Sequence, residues 1–129
     1  PTPDYVLDER YMGWAEQNVA ESGGSLQVSH DIDSAYAGAD VVYAKSWGAL
    51  PFFGNWEPEK PIRDQYQHFI VDEAKMALTN NGVFSHCLPL RRNVKATDAV
   101  MDSPQCIAIE EAENRLHVQK AVMAKLANQ

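Results

Sequence analysis

The sequence predicts an α/β fold, a parallel sheet with helices on both faces, and three observations carry that expectation. Short apolar runs near residues 41, 83 and 106 alternate with segments whose apolar residues recur at helical spacing. Val41-Val42-Tyr43-Ala44 is apolar at consecutive positions, as suits a strand covered on both faces. Gly23-Gly24, Gly38 and Asn80-Asn81-Gly82 punctuate the helical patterns where C-caps and exit turns belong.

Taken in order, Pro1-Thr2-Pro3-Asp4 reads as a loop that something should precede, so the chain reads as part of a longer protein. From about Asp8, Tyr11, Trp14, Ala15, Val19 and Ser22 mark a helix. Leu26-Gln27-Val28 follows as a short strand, and Asp31 caps a small helix through Ala37. After the strand at 41–44, the Gly-, Pro- and aromatic-rich segment from Gly48 to Pro61 is expected to be a long loop, a length usually functional or mobile. A helix from Val71 to Leu78, a strand over Val83-Phe84-Ser85-His86 and a last strand over Cys106-Ile107-Ala108-Ile109 come next. From Glu110 a long helix carries Ala112, Leu116, Met123 and Leu126 on one broad face, with Glu110, Glu111 and Glu113 near its positive end.

Composition narrows the function classes. A chain of 129 residues with 45% hydrophobic content suits one domain, burying about two-thirds of its unfolded surface. No run approaches the roughly 20 apolar residues of a membrane span and no signal sequence opens the chain, so a soluble, cytoplasmic protein without membrane partners is expected. A net charge of −7 disfavours nonspecific nucleic-acid binding, which needs a basic surface. Cys87 and Cys106 are expected as free thiols. There is no internal repeat, and without a GxGxxG fingerprint nicotinamide binding has little support.

The most informative stretch is His86-Cys87-Leu88-Pro89-Leu90-Arg91-Arg92-Asn93, a strand running into an X-Pro bond and two guanidiniums. Ligands of parallel sheets sit at the carboxyl ends of strands, where Lys45 and Cys87 both fall. Cys87 is either a nucleophile or, the favoured reading, a packed or ligand-contacting thiol. Leu88-Pro89 is either a cis bond that turns the Leu88 carbonyl out of the sheet or simply a strand stop. Arg91 and Arg92 grip an anion or pair with surface acids; Arg115 does the same or pairs with Glu111 four residues before it. Lys95 has Asp98 nearby as a partner. Lysine at a buried strand end needs a partner or a ligand carboxylate, which makes Lys45 harder to dismiss. Glu113 and His117 stand four apart without a third ligand, so no metal is expected.

Together HCLPLRRN, Val94-Lys95-Ala96-Thr97-Asp98, Glu111-Ala112-Glu113-Asn114-Arg115-Leu116-His117 and Gly38-Ala39-Asp40-Val41-Val42-Tyr43 resemble the carbamoyltransferase family in order and spacing. The resemblance covers nearly the whole chain and only the family's second, amino-acid-binding domain, implying a Rossmann-like domain over 1–129. The carbamoyl-phosphate domain with its Ser-Thr-Arg-Thr loop has no counterpart here. Ornithine members carry Thr-Asp-x-Trp and then Ser-Met-Gly, the aspartate meeting the substrate's α-ammonium. This chain reads Ala44-Lys45-Ser46-Trp47 and then Ala49-Leu50-Pro51. A lysine there repels a free α-ammonium, accepts an acylated α-nitrogen and attracts the α-carboxylate. The resemblance therefore leans to N-acetylornithine as the amine. Lys95 stands where ornithine members have glutamate, and the resemblance implies a carboxylated lysine (N6-carboxylysine) there, which would supply the same negative charge opposite Arg92 or another nearby cation.

By the same resemblance, carbamoyl phosphate gives its carbamoyl group to the δ-amine of N-acetylornithine, forming N-acetylcitrulline and phosphate. Arg115 would contact carbamoyl phosphate, the Leu88 carbonyl would orient both the carbamoyl NH2 and the amine, Cys87 would line the site, and Lys45 would hold the carboxylate. No cofactor is implied. The full-length protein is expected to be a homotrimer and this chain alone to be inactive, with association favoured by the apolar face of its last helix. The alternatives are ornithine or N-succinylornithine as substrate, or a non-catalytic binding or assembly module.

Overall fold

The computed structural model describes residues 5–46 and 48–128; the expected opening loop over residues 1–4 and Trp47 lie outside them. The chain divides into two compact units, Pro1–Ile32 with Trp47–His68, and Asp33–Ser46 with Phe69–Gln129.

In the first unit, α1 (Glu9–Ser22) is fixed at both ends by the expected residues. The Asp8 carboxylate accepts from the Arg10 N–H, and Gly23, at φ 71°, donates its N–H to the Val19 carbonyl. The half-buried side is Met12, Ala15 and Val19, while Tyr11 and Trp14 stand more than half exposed under the Arg10 guanidinium. Leu26-Gln27-Val28 forms no strand, because strand pairing requires a neighbouring backbone and none among the described residues pairs with it. The expected long loop is partly ordered. Leu50–Phe52 makes a 3-10 turn, and α3 (Lys60–Asp64) begins with Pro61 in its first turn, where a missing N–H costs nothing. Glu59, just before α3, is fully buried and accepts from the Ala49 N–H at 2.7 Å and the Tyr5 hydroxyl at 3.1 Å. Arg63 Nε stands 3.5 Å from its other oxygen, an ion-pair contact in which neither atom has a hydrogen bond among the described residues.

The second unit holds a small parallel sheet. β1 (Val41–Tyr43) pairs with β2 (Val83–Ser85) in the register Val41↔Val83, Val42↔Phe84, Tyr43↔Ser85. β1 is preceded by α2 (Ile32–Tyr36) and a turn at Gly38, φ 74°. β2 is preceded by α4 (Glu73–Met76), whose cap, Asp72, accepts from the Lys75 N–H at 2.9 Å. The helix expected from Val71 therefore starts two residues later. Val71 instead bridges Ala96. Phe84 is wholly buried at the centre of a core with Val71, Met76, Ala96 and Val100, against which Val42, Ala44 and Cys106 pack. Burying one such aromatic contributes about 1.5–3 kcal/mol. β1 is covered on one face only: Val41 and Tyr43 are 58% and 55% exposed, contrary to the expectation from its unbroken apolar run.

The strand expected over Cys106–Ile109 shrinks to a single bridge, Phe84↔Cys106, because α6 (Ala108–Ala127) starts earlier than expected. Glu110 and Glu111 in its first turn favour the helical state there over continued pairing. Beyond buried Ala108, its expected apolar face is open: Leu116, Met123 and Leu126 are each more than half exposed.

Between β2 and α6 the chain turns through residues 91–102, ending in α5 (Asp98–Met101), which Thr97 caps. Asn93, at φ 58°, takes the left-handed turn, and its side chain both donates to Asp98 at 2.7 Å and accepts from the Asp98 N–H. Arg92 donates to Asp98 at 3.0 Å and Asp102 at 2.6 Å. Hydrogen bonds from Asn93 and Arg92 hold the Asp98 carboxyl below its ordinary range, and Arg92 does the same for Asp102.

Two outcomes are expected. A Cβ on Gly82 would lie 2.6 Å from the Ala39 carbonyl oxygen, a backbone atom fixed by the β1–β2 crossover. Gly82→Ala should therefore destabilise the domain by about 2–3 kcal/mol in urea denaturation, and an unchanged midpoint would refute the tight approach. Since Asp98 and Asp102 have lowered folded values, their stabilising effect is complete above the unfolded pKa of about 3.9 and lost as pH falls through the folded ones. Carboxyl-carbon NMR should give midpoints below that value in the native domain; Arg92→Ala should raise both, with Asp98 staying below because its hydrogen bond from Asn93 remains.

Candidate functional site

Parallel pairing brings the carboxyl ends of β1 and β2 to one edge, and the last rung, Tyr43↔Ser85, sets what lies beyond it. Pairing continues one residue further, with the Ala44 N–H donating to the Ser85 carbonyl at 3.0 Å. Lys45 and Cys87 each follow that rung by two positions, so strand periodicity puts them side by side. The Lys45 ammonium donates to Cys87 Sγ at 3.0 Å. Among the described residues Lys45 joins no ion pair, and the hydrogen bond and charge of Cys87 hold its ammonium above the usual lysine range. Sequence reasoning placed both residues at strand ends without foreseeing their contact.

Beyond Cys87 the Leu88-Pro89 peptide is cis, the reading that the sequence left open beside a plain strand stop. Leu88 is exposed and Cys87 half-buried. His86 is 1% exposed; its Nδ1 meets the Cys87 carbonyl, and Nε2 has no partner among the described residues. His86 thus faces the interior while Cys87 faces the edge, so the two do not form a base and nucleophile pair.

The two arginines divide. Arg92 is a surface ion-pair residue, with Asp98 and Asp102. Arg91 is exposed and enters no ion pair among the described residues. Lys95 is half-buried; its carbonyl accepts from the Val71 N–H at 2.9 Å, and its N–H donates to the Arg91 carbonyl at 3.0 Å. Asp98, expected as a partner of Lys95, is engaged by Arg92 and Asn93. Arg115 is exposed on α6 and does not pair with Glu111. Glu111 instead accepts from the Tyr43 hydroxyl at 3.0 Å and from the Ser85 hydroxyl. That role was missed: the sequence shows an acidic first turn, and only the register brings both hydroxyls to it. His117 stands 3.7 Å from Glu113 as an exposed helical pair. Among the described residues no three His, Cys, Asp or Glu side chains converge as metal ligands.

The edge thus brings together a cation just after β1 and a thiol with an exposed turn just after β2, while Arg115 stands on α6 one turn beyond Glu111. Such a set binds anionic and carbonyl-bearing small molecules by charge and hydrogen bonding. An open groove of about 360 Å³ between α4 and α5, lined by Glu73, Met76, Val100 and Gln105 among others, contains none of these residues.

The family model described as aspartate/ornithine carbamoyltransferase, Asp/Orn binding domain, matches residues 1–126. N-acetylornithine carbamoyltransferase of Xanthomonas campestris pv. campestris is 92% identical over 129 residues, all of this chain and 38% of that protein. Ornithine carbamoyltransferase of Pyrococcus abyssi is 43% identical over 128 residues, 97% of this chain and 39% of that protein. A crystal structure of acetylornithine transcarbamylase complexed with acetylcitrulline superposes with a TM-score of 0.92 at 94% identity, covering 98% of this chain and 38% of that one. A variant of N-acetyl-L-ornithine transcarbamylase complexed with carbamyl phosphate and N-succinyl-L-norvaline gives 0.91, with the same identity and coverage. The chain spans a little over a third of the length of these relatives. With the family model matching almost every residue, the chain belongs to the aspartate/ornithine carbamoyltransferase family and is similar to its Asp/Orn binding domain.

Proposed function

We propose that this chain is the amino-acid-binding part of a carbamoyltransferase that transfers the carbamoyl group of carbamoyl phosphate to the δ-amine of N-acetylornithine. The observation that carries the reading is Lys45: a strand-end ammonium, exposed and in no ion pair among the described residues, where a free amino acid's α-ammonium would be repelled. An acylated α-nitrogen has no such charge, and the substrate carboxylate supplies the missing anion. The name of the 92% identical Xanthomonas relative and the acetylcitrulline in the related crystal structure support the same amine.

In this reading Arg115 binds carbamoyl phosphate and stabilises charge growing on its carbonyl oxygen. The exposed Leu88 carbonyl accepts from the carbamoyl NH2 and from the δ-amine, which aligns nucleophile and electrophile. The neutral amine nitrogen attacks the carbamoyl carbon, the C–O bond breaks with its electron pair leaving on phosphate, and the departing phosphate takes the amine's proton. Cys87 lines the site and holds Lys45 without covalent chemistry. β1 and β2 would be part of a larger parallel sheet with helices on both faces. The open apolar face of α6 would be covered in a homotrimer that completes the site. A carboxylated Lys95 would add a negative charge to the loop after the arginines, its carbamate forming only from a neutral, desolvated amine.

The test uses full-length enzyme carrying this domain, with N-acetylornithine, N-succinylornithine and ornithine as competing amines and chromatographic analysis of the citrulline products. N-acetylcitrulline should dominate; preference for ornithine would overturn the reading of Lys45, and no turnover heat with any amine would leave a binding module. Lys45→Ala should raise KM for N-acetylornithine about 10- to 100-fold, the loss of a charged hydrogen bond worth about 1.5–3 kcal/mol, with a smaller change in kcat. Native mass spectrometry in bicarbonate near neutral pH should find the protein one CO2 heavier, and Lys95→Arg should abolish that difference; an unmodified mass would refute carboxylation.

A further inference from the structure

We propose that Glu111 is a positioning residue: its carboxylate ties together the three elements that carry Lys45, Cys87 with Leu88, and Arg115. The inference rests on the site reading above and deepens it.

Tyr43 and Ser85 are register partners on the last rung of the sheet. Each ends its strand two positions before a site residue, Tyr43 before Lys45 and Ser85 before Cys87. Glu111 accepts one hydrogen bond from each hydroxyl, through Oε1 from Tyr43 and Oε2 from Ser85. Each carboxylate oxygen thus accepts from one strand, and Arg115 forms no ion pair with Glu111 among the described residues. In α6, residues four apart share a face, so the face of Glu111 that meets the strand ends also carries Arg115. The carboxylate has two consequences. It sets the distance and rotation of the first turns of α6 against the rung, and it leaves Arg115 unpaired for a ligand. A hydroxyl to carboxylate bond is charge-assisted and directional, unlike the apolar contacts that anchor α6 at Ala108, so it fixes rotation about the helix axis as packing alone does not.

The experiment is a double-mutant cycle in full-length enzyme, reading the Kd for carbamoyl phosphate by calorimetry, kcat, KM for both substrates and thermal stability. Glu111→Ala should weaken carbamoyl phosphate binding and lower kcat, together approaching the about 100-fold loss that a small misplacement of a site group produces. Glu111→Gln keeps an acceptor for one hydroxyl and a donor for the other, and should stay within about threefold of wild type on the strength of both bonds being retained. With Arg115→Ala already in place, Glu111→Ala should add less than about twofold to Kd, because coupled residues are non-additive. Should Glu111→Ala fail to fold, Tyr43→Phe with Ser85→Ala removes the same two bonds and enters the same cycle. A large Arg115→Ala loss on which the Glu111→Ala loss simply multiplies would overturn the inference. Unchanged affinity in Arg115→Ala would overturn the site reading and this inference with it. Unchanged Kd and kcat in Glu111→Ala would overturn the inference even if stability fell.

Discussion

The placement of Phe84 at the middle of β2 is the constraint from which the site follows. Its side chain is wholly buried, while its backbone N–H and carbonyl reach Gln105 and Ile107 on one side and β1 pairs on the other. One residue thus joins the core, the sheet and the start of α6. Side chains alternate along β2, so burying Phe84 also buries His86 and sends Ser85 and Cys87 to the opposite face. The order of polar groups in the site is in this sense a consequence of an apolar choice.

Charge in this domain is sorted by location. The chain is acidic overall, at −7, and several of its cations are answered: Arg92 by two aspartates, Lys75 by Asp72, Lys60 by Asp64. Lys45, Arg91 and Arg115 have no acidic partner among the described residues, and neither do Arg10, Lys120 and Lys125. Exposed ion pairs contribute little to stability, so their absence at these positions costs the fold little and keeps these cations open to anions.

The open surfaces have the same logic. Leu116, Met123 and Leu126 on α6, with Val41 and Tyr43 on β1, expose more apolar surface than an isolated small domain usually carries. The relatives are more than twice as long as this chain.

How much was legible in the sequence depends on the range of the forces involved. The sequence by itself determined α1 with its Asp8 and Gly23 caps, the two strands, the turn residues Gly38 and Asn81 and the candidate residues Lys45, Cys87 and Arg115, because caps, periodicity and turn chemistry act within a few residues. Only the tertiary structure decided that Leu26–Val28 stays unpaired, that Cys106–Ile109 yields to α6, that Arg92 turns to Asp98 and Asp102, and that Glu111 meets Tyr43 and Ser85. Each of those outcomes is a competition between partners distant in the chain, and its winner is set by the register and packing of β2, which no local pattern encodes.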